Sequence, residues 1–142
     1  MIFNMTQEDK GLLLKDICAR LPYGVEVQYK GNRYDLTEMH KDGRTYLGSY
    51  NSIYGDWHCS LEFEYYPKPY LRPLSSMTEE EHKELKEISE YYGFAPFKYI
   101  DDWCPNYDMI DWLNAHHFDY RGLIPLGLAI EVTEENNPYK EA

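Results

Sequence analysis

The fold is decided by the run Val25-Glu26-Val27-Gln28-Tyr29-Lys30-Gly31-Asn32 and by what repeats after it as far as Phe63. Val25, Val27 and Tyr29 alternate with Glu26, Gln28 and Lys30. That period of two gives an extended chain one apolar and one polar face. Gly31-Asn32 turns the chain into a second segment, Arg33 to Met39, and Asp42-Gly43 into a third, Thr45 to Tyr50. Gly55-Asp56 then leads into Trp57, Cys59, Leu61 and Phe63, alternating with His58, Ser60, Glu62 and Glu64. Four short strands in meander order predict a small antiparallel sheet or a half-open barrel.

Such a sheet needs a cover, and the preceding residues supply one. Thr6 is a hydroxyl cap with Asp9 in the reciprocal position, and the helix it opens runs to about Arg20. Leu13, Ile17 and Leu21 form its apolar stripe, with Leu14 and Cys18 beside them, and Pro22 and Gly24 end it.

Downstream, three prolines in Pro67-Lys68-Pro69-Tyr70-Leu71-Arg72-Pro73 remove backbone donors and fix φ, which predicts a stiff extended connector. Thr78 with Glu81 is a capping box opening a second helix, whose face is Leu85, Ile88 and Tyr92 and whose end is Gly93. Its six glutamates are largely matched by Lys83 and Lys86 at i, i+4 spacing and by the positive end of the helix dipole, so they read as a solvated face. An aromatic loop, 94–107, leads to a third helix over Asp108 to His117, and Leu128 to Val132 reads as a final strand. The class is α+β: residues 1–66 a helix plus meander, 67–77 the connector, and 78–142 a helical half, packed as one unit.

Charge is the chain's most unusual property. Twenty-five acidic residues against 14 Lys and Arg give −11, which excludes a surface that clings to phosphate backbones. The surplus lies in the C-terminal half: residues 1–66 carry ten acids against seven bases, residues 67–142 fifteen against seven. The longest charge-free apolar stretch, Leu123 to Ile130, is too short to cross a bilayer. The opening residues lack the basic flank and apolar run of a secretory leader, so the expected compartment is the cytoplasm. Cys18, Cys59 and Cys104 show no CxxC pattern and are expected as reduced, partly buried thiols. Fifteen tyrosines and three tryptophans suit a partly wet core or a protein-binding surface.

Catalytic patterns are weighed and set aside. His116, His117 and Asp119 are the one dense group of potential ligands, but adjacent helical residues point about 100° apart and do not converge on one ion. His58 and Cys59 point to opposite faces of a strand, and Cys104 lies between Trp103 and Pro105 in the aromatic loop. No phosphate-cradling glycine loop and no nucleophile elbow occurs. No catalytic residue, metal or cofactor is assigned.

Two segments, Lys68-Pro69-Tyr70-Leu71-Arg72-Pro73-Leu74-Ser75-Ser76-Met77-Thr78-Glu79-Glu80-Glu81 and Asp111-Trp112-Leu113-Asn114-Ala115-His116-His117-Phe118-Asp119-Tyr120-Arg121-Gly122-Leu123-Ile124, resemble the signatures of a family of small uncharacterised proteins. That family is carried by phages and mobile elements of anaerobic gut bacteria. Leu12 to Asp16 and Leu21 to Val25 are similar as well, and the middle, from Gly31 to Tyr66, departs most. The resemblance carries over no functional residue. It implies a context in which small acidic proteins serve as accessory factors, anti-CRISPR inhibitors among them, by occupying the basic channel of an RNA-guided nuclease. The expected partner is therefore a host protein of that kind, with no direct nucleic-acid or membrane contact. The candidate contact residues are Asp101, Asp102, Trp103, Tyr107, Asp108, Asp111, Asp119 and Tyr120. The alternatives are a small metal- or thiol-dependent enzyme acting on nucleotides or nucleic acid, and a structural or regulatory module of the element.

Overall fold

The computed structural model describes residues 5–39, 44–48, 57–60, 66–91 and 107–140. The chain is α+β. Its sheet has the order β4-β3-β2-β1-β5-β6, where β1 is Glu26–Tyr29, β2 Asn32–Met39, β3 Arg44–Gly48, β4 Trp57–Ser60, β5 Lys68–Leu71 and β6 Ile130–Glu131. The helices among the described residues are α1 (Gln7–Arg20), α2 (Glu79–Tyr91) and α3 (Tyr107–Ala115).

The predicted meander is present, since β1 to β4 pair in chain order and antiparallel. Its first turn lies one residue earlier than read. Lys30 (φ 50°) and Gly31 (φ 80°) are the two central residues between Tyr29 and its partner Asn32, the two-residue hairpin whose twist needs positive φ at both positions. Strict alternation in β2 would put Glu38 on the face of buried Leu36, but the register slips between them. The extra residue is Thr37, whose hydroxyl donates to the Tyr46 carbonyl at 3.0 Å, and Glu38 is exposed.

The connector reading of 67–73 is corrected. Lys68–Leu71 is a strand inside the sheet, antiparallel to β1 and parallel to β6. Successive residues of a strand direct their N–H and C=O groups to opposite sides. Arg72 uses both groups on the 117–119 segment, donating to the His117 carbonyl at 2.7 Å and accepting from the Asp119 N–H at 2.8 Å. Leu71 faces the other way and accepts from Val132 at 2.8 Å. Pro69, the one proline inside β5, shares Leu71's parity, so its missing donor falls on the flank where β6 contributes only two residues, while Pro67 and Pro73 lie just outside the strand. The sheet thus crosses the boundary drawn at 67–77. The final strand is shorter than Leu128 to Val132, and its first two residues are buried in the core instead.

α1 begins as read, with the Thr6 hydroxyl accepting the Asp9 N–H at 3.0 Å. Its buried face is Leu13, Asp16, Ile17 and Arg20, whereas Cys18 is exposed and Leu21 only half-buried. Leu13 and Ile17 pack on Val25, Val27, Leu36, Leu47 and Leu71 in the main core. A second cluster, Leu85, Met109, Leu113 and Phe118, joins α2 to α3. α3 starts one residue earlier and ends two residues sooner than the predicted Asp108 to His117.

The end of α3 explains why. Phe118 N–H bonds the Leu113 carbonyl at 3.0 Å and His117 N–H the Asn114 carbonyl at 3.1 Å, with His117 at φ 64°. This is the Schellman arrangement, in which the left-handed residue is usually glycine. Phe118 packs beside Leu113, the hydrophobic contact that accompanies it.

Candidate functional site

Asp101, Asp102, Trp103 and Cys104 lie outside the described residues, as do Tyr92 and the aromatic loop up to residue 106. The remaining candidate residues separate into two environments. Tyr107, Asp108 and Asp111 are exposed, Tyr107 at 90%. With Met109 and Leu113 turned inward, 3.6-residue periodicity puts Tyr107 and Asp111, one turn apart, on the opposite face. Asp111 lies beside Tyr23, from the turn after α1. Partial desolvation and then the Asp111 charge push the Tyr23 phenol above its ordinary range. Among the described residues neither Asp108 nor Asp111 has an ion-pair partner.

The α2 glutamates 79, 80, 84 and 87 are exposed, and Glu84 is the acceptor for Trp112 Nε1 at 3.1 Å. Glu84 thus reaches α3 across the seam between these helices. Trp112 stacks on His116 at 4.0 Å and on Phe118 at 5.8 Å, which fixes that seam. Glu81 is withdrawn from the acidic face. It closes the capping box with Thr78 (3.0 and 3.1 Å) and takes two hydrogen bonds from Arg72 at 2.7 and 2.6 Å. Arg72, whose guanidinium lies 4.1 Å over the Phe118 ring, thereby lowers the Glu81 carboxyl to about 2.

Asp119 and Tyr120 leave the expected contact surface. Asp119 is buried, and its two carboxylate oxygens accept the N–H groups of Leu123 and Ile124, each at 2.9 Å. An acid placed there holds a turn. The Tyr120 ring meets the guanidinium groups of Arg20 (5.1 Å) and Arg121 (4.9 Å), and its hydroxyl donates to Asn114 at 2.8 Å. His116 stacks on Trp112 and His117 on Tyr139, so the adjacent imidazoles diverge onto different rings. Among the described residues no three His, Cys, Asp or Glu side chains gather as a metal site would require.

A buried polar centre was missed at the sequence level. Asp16 and Arg20, both wholly buried, form a two-pronged pair at 2.8 and 3.1 Å. Arg20 also donates to the Phe118 carbonyl at 2.6 Å, and Arg121 approaches Asp16 at 3.3 Å. The signal was present: positions 16 and 20 fall at i+3 and i+7 from Leu13, inside the stripe that Leu13 and Ile17 define. Glu26, read as polar and outward, is also buried, with one carboxylate oxygen lacking a partner among the described residues. Burial first, then the Asp35 carboxylate opposite it, raise its pKa, with Arg33 offsetting in part.

No protein-family model, no curated protein and no solved structure matches the chain. Among the described residues no helix is long and apolar enough to cross a membrane.

Proposed function

We propose that the protein acts by binding another protein, through the exposed start of α3 and the acidic flank of α2, and that the surface it meets is basic. The observation that carries this reading is a bare aromatic beside carboxylates that have no ion-pair partner among the described residues: Tyr107 stands 90% exposed one helical turn from Asp111 and next to Asp108. A solvated acidic face alone serves solubility. A ring kept in water beside exposed acids adds an apolar anchor to a charge pattern, the combination from which interface centres are built. Basic grooves that hold nucleic acid by its phosphates offer the complement, and opposite charge accelerates the encounter.

The partner class that fits is a host RNA-guided nuclease, with the protein serving a phage or mobile element as a non-enzymatic counter-defence inhibitor. The resemblance of the 68–81 and 111–124 segments supports the mobile-element context. The test is binding to a panel of purified, guide-loaded nucleases, with target cleavage measured in parallel. The expected result is inhibition that weakens with ionic strength and is lost when Asp108→Lys and Asp111→Lys are combined. Binding that neither salt nor the charge reversal changes would refute the acidic-surface mechanism, and absence of binding to every nuclease would refute the partner class.

A further inference from the structure

The pairing of β1 with β5 runs through Gln28 with Lys68 and Val27 with Pro69, so the next rung in register is Glu26 with Tyr70. One of its two backbone bonds is interrupted by a side chain from the far end of the chain. The Tyr139 hydroxyl accepts the Glu26 N–H at 3.0 Å and donates to the Tyr70 carbonyl at 2.8 Å. One phenol wedges into the rung in place of the direct bond from the Glu26 N–H to the Tyr70 carbonyl, with its hydroxyl also 3.4 Å from the Glu26 carbonyl.

The wedge rests on His117. The two rings are stacked at 3.5 Å between centroids and 7° between planes. His117 occupies the left-handed position that closes α3, where a β-carbon costs energy that glycine avoids and asparagine tolerates better. Its Nδ1 is buried without a partner among the described residues. Strain plus an unmatched buried ring nitrogen, at a position where a smaller residue would serve the backbone better, is the pattern of a site retained for something other than stability.

The segment that carries the wedge is otherwise lightly held. Val132 bonds Leu71, Thr133 to Asn136 form an exposed turn, and Tyr139 N–H is capped by Asn137. We propose that His117 and Tyr139 form an acid-responsive latch, which fastens residues 132–140 onto the Glu26–Tyr70 rung between β1 and β5 and releases them when the imidazole takes a proton.

The charges around the latch set its direction. Arg20 from α1, itself paired to Asp16, and Arg72 beyond β5, paired to Glu81, both repel a second positive charge, and His116 adds to them. Burial is the larger effect, and together they hold the imidazole down at about 4 rather than the ordinary 6.5. A neutral ring is therefore required in the closed state, and closure weakens as pH falls from 6.5 to about 4. The Glu26 carboxyl, raised by burial and by Asp35, acts with the opposite sign and does not drive opening in acid. Tyr139 stays neutral, since burial pushes its phenol far upward.

The Glu26 amide is the reporter, because its acceptor is the Tyr139 hydroxyl. Hydrogen exchange followed by NMR, corrected for the intrinsic rate, should show opening at Glu26 rising by about tenfold per pH unit across that window. Over the same range the Leu13 and Ile17 amides of α1 should stay constant. His117→Asn, which suits the left-handed backbone and does not titrate, should flatten the profile. Tyr139→Phe, which keeps the stacked ring, should leave the Glu26 amide unprotected at every pH. The latch is refuted if His117→Asn keeps the wild-type slope, if Glu26 stays protected down to pH 4, or if Leu13 and Ile17 open in step with it.

Discussion

Replacing Glu81 by glutamine isolates the worth of one charge. Glutamine can still take the reciprocal place in the capping box with Thr78, so the start of α2 is kept. What is lost is the carboxylate that receives both prongs of Arg72 at 2.6 and 2.7 Å. Those bonds, against the opposing effect of partial burial and with help from Thr78, bring the carboxyl from 4.5 to about 2. At 1.36 kcal/mol per unit this is a ceiling of about 3 kcal/mol. Both partners remain partly in water, Arg72 at 22% and Glu81 at 17%, and screening reduces the expected contribution to about 1–2 kcal/mol. Because the folded pKa is depressed, the stabilisation is complete above 4.5 and disappears as pH falls toward 2. Urea denaturation of wild type and Glu81→Gln should therefore differ by about 1–2 kcal/mol at neutral pH and converge in strong acid. Equal stability at neutral pH, or a gap that persists in acid, would show that Arg72 is satisfied without the Glu81 charge.

Arg20→Ala should cost about 3–5 kcal/mol, since it strips a buried carboxylate of its two-pronged partner; an Asp16→Ala, Arg20→Ala double variant that loses as much as the two single losses combined would show the pair to be uncoupled. Glu26→Gln should raise the denaturation midpoint at neutral pH and make no difference below the ordinary carboxylate range, because a raised pKa favours folding only while the group is protonated. An unchanged midpoint would mean that the buried carboxylate is satisfied. Lys30→Asn should stabilise the β1–β2 hairpin by about 0.5 kcal/mol, Asn being better suited to positive φ before Gly31, and a loss in thermal melting would contradict the turn geometry.

The local rules were legible where one stretch of chain settles its own structure. Thr6 and Thr78 cap the helices they were read to cap, and the alternation from Val25 to Phe63 placed a meander where one stands among the described strands. These features depend on backbone donors, side-chain period and turn chemistry within a few residues, which any single sequence exposes. On the candidate site the sequence distinguished acid from base but not inside from outside. Asp108, Asp111 and Asp119 looked alike, yet only Asp119 points its carboxylate at two backbone N–H groups and is buried.

Only the tertiary structure decided the rest. Pro69 stands within a sheet against the usual rule because its missing donor falls on the β6 side of β5, a fact set by which strands lie on either flank. Asp16 and Arg20 enter the core because Phe118 and Arg121, about a hundred residues away, complete their hydrogen bonding. Tyr139 reaches the Glu26 rung from 113 residues downstream. A sequence shows which groups need partners. Where the partner is distant in the chain, its identity follows from the path of the backbone, and no local periodicity records it.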